Sequence, residues 1–119
     1  MAETIDSIIK WHTETFPDAT LAGQEDKYRE EFHEFTLADL GSGEELEELA
    51  DLVIVSCGIM RFDYTQGFGW LVHTILHYGC TPHSHDALWR AVEKKMGKNR
   101  KRAWDKHGGQ YQHKAGIED

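Results

Sequence analysis

The segment from Leu52 to Met60 constrains the fold of this 119-residue chain more than any other feature. It is apolar on almost every side when wound as an α-helix, and such a helix has to be buried. No run rich in Val, Ile and Thr alternates apolar with polar residues over the length of a strand. Only Pro17 and Pro82 interrupt a sequence rich in helix-forming residues. The sequence therefore predicts an all-α fold, a bundle of four to five helices around one central helix.

Helical periodicity, capping residues and turn residues predict where the helices begin and end. Pro17 is expected to stop the first helix, and Ser84 is a candidate N-cap for the last one. Gly67 and Gly69 are expected to loosen the chain before a short fourth helix. The predicted helices cover residues 3–16, 20–40, 44–64, 70–78 and 84–106, and a short C-terminal arm covers 107–119. This length suits a single domain spanning residues 1–119.

The charges are divided unevenly along the chain. Residues 1–51 carry 15 acids and 3 bases, net −12, whereas residues 52–119 carry 6 acids and 10 bases, net +4. The N-terminus is acidic where a signal peptide is basic, and no apolar run of about 18 residues is available to span a bilayer. Two cysteines are too few for a disulfide framework. We therefore expect a cytoplasmic protein with reduced thiols and no membrane partner. The total charge of −8 argues against a long nucleic acid as ligand.

Four carboxylates recur at helical spacing on the second and third predicted helices. On a helical projection, Glu31 and Glu34 lie at the edge of the apolar face of the second helix. Glu48 and Asp51 border the apolar face of the third helix. The connecting turn is short, so the two helices are antiparallel neighbours and the ExxE and ExxD pairs can converge. Carboxylates held that close repel one another unless a cation lies among them. An all-oxygen ligand set suits Mg²⁺ or Mn²⁺. The pattern predicts a divalent metal site.

Two other interpretations of these acids stay open. Glu-rich helices are often simply solvated, with Glu and Lys four residues apart, although no Lys or Arg occurs between Glu30 and Asp51. A di-iron bundle uses ExxH pairs, and Glu30 to His33 forms one such pair. His33 projects away from the apolar face, however, and the third helix offers ExxD in its place.

A basic segment lies towards the other end of the chain. Residues 90–106 carry eight bases against two acids, and on one continuous helix four polar side chains form a stripe: Lys95, Asn99, Arg102 and Lys106. Lys and Arg supply positive charge for phosphate oxygens. The alternatives are a solvated helix end and a non-catalytic helical module that binds nucleic acid or protein through residues 90–106.

These motifs together resemble a known superfamily. The segments KYREEFHEF (27–35) and EELADLVIV (47–55) resemble the ExxE…ExxD signature of the all-α nucleoside triphosphate (NTP) pyrophosphohydrolases, the MazG-like superfamily that includes dimeric dUTPases. KMGKNRKRAW (95–104) resembles the stretch of those enzymes that contacts phosphate and sugar. More narrowly, the chain is similar to the phage-type dATP/dGTP pyrophosphohydrolases, including MazZ-like enzymes, in residues Trp11, Phe16, Pro17, Arg61, Trp104, Tyr111 and His113. The resemblance covers about residues 8–113.

The resemblance implies a helical bundle of the NTP pyrophosphatase kind. It also implies cleavage of a nucleoside triphosphate between the α- and β-phosphates, with dGTP as the first expected substrate and dATP as the second. The products are a monophosphate and pyrophosphate. A homodimer or homotetramer is implied, in the host cytoplasm if the gene belongs to a phage.

The same resemblance implies roles for individual residues. The metal ligands for Mg²⁺ are Glu31, Glu34, Glu48 and Asp51. Glu30 is a candidate to orient the attacking water, although its position equally suits a solvated surface residue. Phosphate and sugar contacts are assigned to Lys95, Lys98, Asn99 and Arg102. Base stacking is assigned to Trp11, His12 and Phe16, which at the end of an amphipathic helix are equally candidates for the core.

Two further features do not belong to these motifs. His73, His77 and Cys80 have a spacing compatible with Zn²⁺, although no CxxC pair accompanies them and histidines on an interface helix need no metal. Cys57 lies in the apolar segment and is expected to be inert packing. Residues 65–82 match no part of the superfamily pattern.

Overall fold

The chain folds into five helices followed by a two-stranded hairpin. The computed structural model describes the backbone of residues 2–102, 104–107 and 110–113, and the side chains of residues 2–102. The helices are α1 (Ile5–Thr15), α2 (Leu21–Leu37), α3 (Gly43–Met60), α4 (Tyr64–Tyr78) and α5 (His85–Asn99), and the strands are β1 (Trp104–His107) and β2 (Gln110–His113). The predicted all-α bundle is confirmed. None of the helices in the described part of the chain is long and apolar enough to cross a membrane.

Helix α3 is the centre of the bundle. It packs against α1, α2, α4 and α5, and every residue from Leu52 to Met60 is buried. Leu49, Leu52 and Ile59 are completely inaccessible to solvent. The all-round apolar segment predicted this position, because each side of the helix has a neighbour to bury it.

Each helix begins behind a residue whose side chain caps it. A side-chain oxygen accepts a hydrogen bond from the backbone N–H three residues later at all five N-caps, which are Thr4, Thr20, Ser42, Asp63 and Ser84. These bonds satisfy backbone donors that have no partner inside the helix. Ser84 is therefore confirmed as the N-cap of the last helix.

The connection between α3 and α4 differs from the prediction. Helix α3 ends at Met60 instead of Tyr64, and α4 begins at Tyr64 instead of Trp70. Gly67 lies inside α4 and is buried, and a Cβ built on it would be 2.4 Å from the backbone nitrogen of Met60. The glycine therefore permits close packing of the two helices, and the expectation that it loosens the chain was wrong.

The C-terminal part also differs from the prediction. Helix α5 ends at Asn99, so the predicted helix 84–106 is too long. Arg100 caps that end, and its guanidinium nitrogens bond both Glu3 carboxylate oxygens at 3.0 and 2.8 Å. Strand β1 then pairs antiparallel with β2, which lies against α2. Gly-Gly at 108–109 between two short runs is a recognised hairpin signal, and the prediction of an unpaired arm from residue 107 missed it.

Candidate functional site

The central feature of the site is a cluster of carboxylates between α2 and α3. Glu31 and Glu34 come from α2, and Glu48 comes from the second turn of α3. One oxygen from each of these three side chains lies within 4.8 Å of the others. Glu31 is buried, Glu48 is partly buried and Glu34 is exposed, so the cluster opens from the core to the surface. Three of the four predicted carboxylates therefore come together.

Asp51 extends the cluster by one turn along α3. Its charge contributes to the raised pKa of Glu31, and its Oδ2 lies 3.3 Å from Lys95 Nζ on α5. On the α2 side, Lys27 Nζ lies 3.2 Å from Glu31 Oε1. Two lysines therefore offset part of the negative charge. Lys27 was not among the predicted site residues, although its position four residues before Glu31 is a pattern that predicts an ion pair.

Burial raises the pKa values of three acids of the site, and neighbouring carboxylates add to the shift at two of them. Burial raises the pKa of Glu31 to about 7, with the charges of Asp51 and Glu34 adding to the shift and Lys27 opposing it. Burial raises the pKa of Glu48 to about 8, helped by a hydrogen bond with Glu34 and by the neighbouring carboxylates. Burial also raises the pKa of Asp51, against the opposing effect of Lys95. Without a cation, Glu31 and Glu48 therefore bind protons more readily than ordinary carboxyl groups do.

Two oxygens of the cluster are buried without a donor. Within residues 2–102, no hydrogen-bond partner reaches Glu31 Oε2 or Glu48 Oε2. A buried carboxylate oxygen without a partner is costly in free energy. A divalent cation that prefers oxygen ligands would satisfy both atoms and reduce the repulsion, so the residues fit Mg²⁺ or Mn²⁺. Glu30 is exposed on α2 and is not one of the three clustered glutamates.

The polar residues of α5 follow one another along the helix that brings Lys95 to Asp51. Lys95 and Lys98 are partly buried and line an open groove of about 560 Å³ between α5 and the beginning of α3. Asn99 is buried, and its amide nitrogen lies 3.9 Å from Met96 Sδ. Arg102 Nη1 lies 3.4 Å from Asn99 Oδ1.

The predicted continuous stripe on this helix was wrong. Because α5 ends at Asn99, Arg102 follows the helix in a turn, and Lys106 belongs to strand β1. Only Lys95 and Asn99 keep the predicted helical relationship. Arg102 is still near Asn99, because the turn brings its guanidinium back towards the helix end.

The three residues predicted to stack on a base are buried together. Trp11, His12 and Phe16 each expose 7% or less of their surface. Phe16 contacts Trp11 and His12 edge to face, with ring centroids 5.2 and 5.0 Å apart. The structure therefore places these three residues in the core, which was the alternative to base stacking that the sequence left open. A base could stack on them only if this packing opened.

His12 is held by polar contacts as well as by packing. Its Nδ1 lies 3.1 Å from Arg61 Nη1, and the same guanidinium nitrogen donates to the Phe16 carbonyl at 2.7 Å. Burial, together with the positive charge of Arg61, lowers the pKa of His12 to about 4. A Cβ at Gly58 would lie 2.8 Å from Gln24 Oε1 and 3.0 Å from His12 Nε2, so a larger residue there would displace the Gln24 side chain.

The histidines of α4 pack as aromatic rings. His73 and His77 have ring centroids 4.6 Å apart, and both pack against Phe32. His73 Nδ1 lies 3.0 Å from the Tyr28 hydroxyl, whereas Cys80 is exposed. Among the described residues, the three clustered glutamates are the one group of three or more potential metal ligands. The zinc interpretation therefore finds no ligand set here.

Comparisons with known protein families, with curated proteins and with solved structures found no match to this chain. What the site can do chemically follows from its residues. A carboxylate cluster suited to a divalent cation lies beside a row of cationic side chains. Lys95 is part of that row and also contacts Asp51 at the edge of the cluster. A ligand that uses both parts is a phosphate ester or anhydride that binds with a metal ion.

Proposed function

We propose that this protein is a metal-dependent nucleoside triphosphate pyrophosphohydrolase. It cleaves a deoxynucleoside triphosphate, dGTP or dATP, between the α- and β-phosphates, and it releases a monophosphate and pyrophosphate. The observation that carries the proposal is the group of three glutamates with two buried oxygens that lack a donor among the described residues. The resemblance of these motifs to the MazG-like superfamily supplies the reaction and the purine preference.

The chain's own acids have two tasks in this reaction. Glu31, Glu34, Glu48 and Asp51 would hold Mg²⁺ or Mn²⁺. A bound ion of this kind polarises phosphoryl oxygens and lowers the pKa of a bound water. Glu30, on the neighbouring face of α2, would orient the attacking water from the solvent side. Glu30 is exposed, as such a task requires.

The bases of α5 bind the departing phosphates. A phosphate held by Lys95 lies at the edge of the carboxylate cluster, because Lys95 Nζ is already 3.3 Å from Asp51. Lys98 lies one residue before Asn99 on the groove side and adds charge that stabilises the pyrophosphate leaving group. Asn99 and Arg102 at the end of α5 are assigned to the sugar and to a further phosphate oxygen.

Product analysis with each nucleoside triphosphate tests this proposal. The protein is incubated with Mg²⁺ and, one at a time, the ribo- and deoxynucleoside triphosphates, and the products are separated by ion-exchange chromatography. We expect a monophosphate and pyrophosphate, with purine deoxynucleotides turned over fastest. A diphosphate with orthophosphate, or no turnover of any nucleotide, contradicts the proposal.

A further inference from the structure

The groove between the beginning of α3 and helix α5 has the features of an anion-binding site. Its volume is about 560 Å³, which lies within the range of small-molecule sites. Its apolar surface includes Leu46 from α3 and the two alanines Ala87 and Ala91 from α5. Four basic residues from α5 surround this surface, against one acid, Glu47. The groove therefore combines an apolar floor with a strongly positive rim.

The spacing of the basic residues gives the rim its shape. Arg90, Lys94 and Lys98 are four residues apart, so they lie on one face of α5 and extend about 12 Å along its axis. Lys95 lines the same groove and reaches Asp51 at the edge of the carboxylate cluster. The row of cations thus extends along α5 to both sides of Lys95. A single phosphate can contact only part of this row, whereas a chain of linked phosphates can follow it.

The apolar floor strengthens these contacts. Coulomb attraction is stronger beside an apolar surface than in bulk water, and the side chains of Leu46, Ala87 and Ala91 present no competing donor or acceptor. Arg90 and Lys94 are exposed, so they can turn towards a ligand without disturbing the core. Neither residue belongs to the motif that assigned Lys95, Lys98, Asn99 and Arg102.

We propose that this groove binds a polyphosphate chain, with Arg90 and Lys94 as binding residues in addition to Lys95 and Lys98. The identification of the chain as the β- and γ-phosphates of a nucleotide rests on the proposed function, whereas binding of an inorganic polyphosphate does not. The two sources share one chemistry, linked phosphates with several negative charges. Arg90 contributes a two-pronged contact to phosphate oxygens, and Lys94 contributes a point charge between Arg90 and Lys98.

Titration calorimetry with inorganic pyrophosphate and inorganic triphosphate tests the proposal. The wild type is compared with Arg90→Gln/Lys94→Gln, and Lys10→Gln/Arg29→Gln is the charge-matched control on α1 and α2. We expect the groove variant to bind both anions at least about tenfold more weakly, and the control to bind them as the wild type does. Circular dichroism shows that both variants are folded. Equal affinity in the wild type and the groove variant overturns the proposal.

Two further measurements separate the possible sources of the anion. With a nucleoside triphosphate as substrate, the groove variant should have a KM raised about tenfold and a kcat close to that of the wild type. If pyrophosphate binds in the groove but no nucleotide is hydrolysed, the proposed function fails and the groove remains a polyphosphate site. If nucleotides are hydrolysed with an unchanged KM in the groove variant, the groove proposal alone fails. A single-stranded oligonucleotide that binds the groove more tightly than triphosphate also overturns it.

Discussion

Lys95 Nζ lies 3.3 Å from Asp51 Oδ2, and this ion pair joins the basic helix α5 to the acidic cluster of α2 and α3. Both side chains are largely buried, with about a fifth of each exposed, so solvent screens the pair only in part. Asp51 belongs to residues 1–51, which carry a net charge of −12, and Lys95 belongs to residues 52–119, which carry a net charge of +4. The pair fixes the position of the basic face of α5 relative to the carboxylates.

Removing a charge from the cluster should remove activity without unfolding the protein. Glu34→Gln and Asp51→Asn each retain the size of the side chain but lose a negatively charged ligand. Since even residues that support metal ligands from a second layer contribute about 10- to 100-fold, we expect a loss of at least about 100-fold in kcat/KM. The rate of pyrophosphate release in the presence of Mg²⁺ measures this loss. The control is Glu44→Gln, an exposed acid in the first turn of α3. Wild-type turnover in either cluster variant shows that these carboxylates are surface charge.

The cluster should make stability depend on pH in a defined window. The pKa values of Glu31 and Glu48 rise from 4.5 to about 7 and about 8 on folding, so the folded state binds more protons than the unfolded state. Their contribution to stability is complete below pH 4.5 and is lost as the pH rises towards 8. His12 acts in the opposite direction, because its pKa falls from 6.5 to about 4, and it affects only the range below pH 6.5.

Thermal unfolding in EDTA between pH 6.5 and 8.5 isolates the contribution of Glu31 and Glu48 to the pH dependence of stability. We expect the Tm of the wild type to fall with increasing pH, by about 3–5 °C for each kcal/mol lost in a chain of this size. In Glu31→Gln/Glu48→Gln the two raised groups are absent, so the slope should be much smaller. A wild-type Tm that is constant or rises across this range contradicts the raised pKa values.

A divalent cation should raise the Tm most where the carboxylates are charged. At a concentration one hundred times its Kd, an ion that binds only the folded state adds about 2.7 kcal/mol. Because protons compete with the metal, we expect Mg²⁺ or Mn²⁺ to stabilise the protein more at pH 8 than at pH 6. Scanning calorimetry with added ion or with EDTA measures the difference. Glu31→Gln/Glu48→Gln should not respond, and an equal rise in that variant places the ion elsewhere.

Two glycines of α4 should respond in opposite directions to the same substitution. Gly67→Ala brings a methyl group against the Met60 backbone, so we expect a loss of about 1–3 kcal/mol or more. A Cβ at Gly69 meets nothing within 4 Å, so Gly69→Ala should gain up to about 1 kcal/mol from helix propensity. Urea unfolding measures both changes. Equal effects at the two positions contradict the close contact of α4 with α3.

The exposed face of α4 should mediate self-association. Its large apolar side chains remain 40–67% exposed in the single chain, at Tyr64, Phe68, Val72, Ile75 and Leu76. Exposed apolar surface of this extent is typical of an interaction site, and we propose that a second copy of the chain covers it in a homodimer or homotetramer. Sedimentation velocity should show Phe68→Asp/Leu76→Asp as a smaller species than the wild type. Ala22→Asp, at an exposed position of α2, is the control. A wild type that sediments as an active monomer refutes the assembly.

The sequence predicted the carboxylate cluster because the cluster depends on local rules. Pairs three residues apart share a helix face, and the short turn between α2 and α3 makes the two faces adjacent. The end of α5 was harder to predict, because the basic residues after Asn99 are good helix formers. The helix ends there where Arg100 bonds Glu3, almost a hundred residues away in the sequence. A contact between residues so far apart along the chain leaves no periodic pattern in the sequence.

The positions of Gly67 and of the aromatic residues of α1 show the same limit. A glycine inside an apolar segment indicates either a loose chain or a close contact, and only the neighbouring Met60 decides between them. Trp11 and Phe16 have the same spacing whether they face a ligand or the core. Lys27 was within reach of sequence reasoning, because its ion pair with Glu31 follows from their spacing of four residues.

Helix α3 carries Glu48 and Asp51 and, directly after them, the segment that every other helix packs against. These two carboxylates are therefore fixed to the most deeply buried helix of the protein, with no hinge or loop between them and the core. Glu31 and Glu34 stand on α2, and Glu34 is exposed in the last turn of that helix, so the α3 half of the cluster is the more firmly anchored half. The arrangement of Glu48 and Asp51 should accordingly persist until α3 itself unfolds.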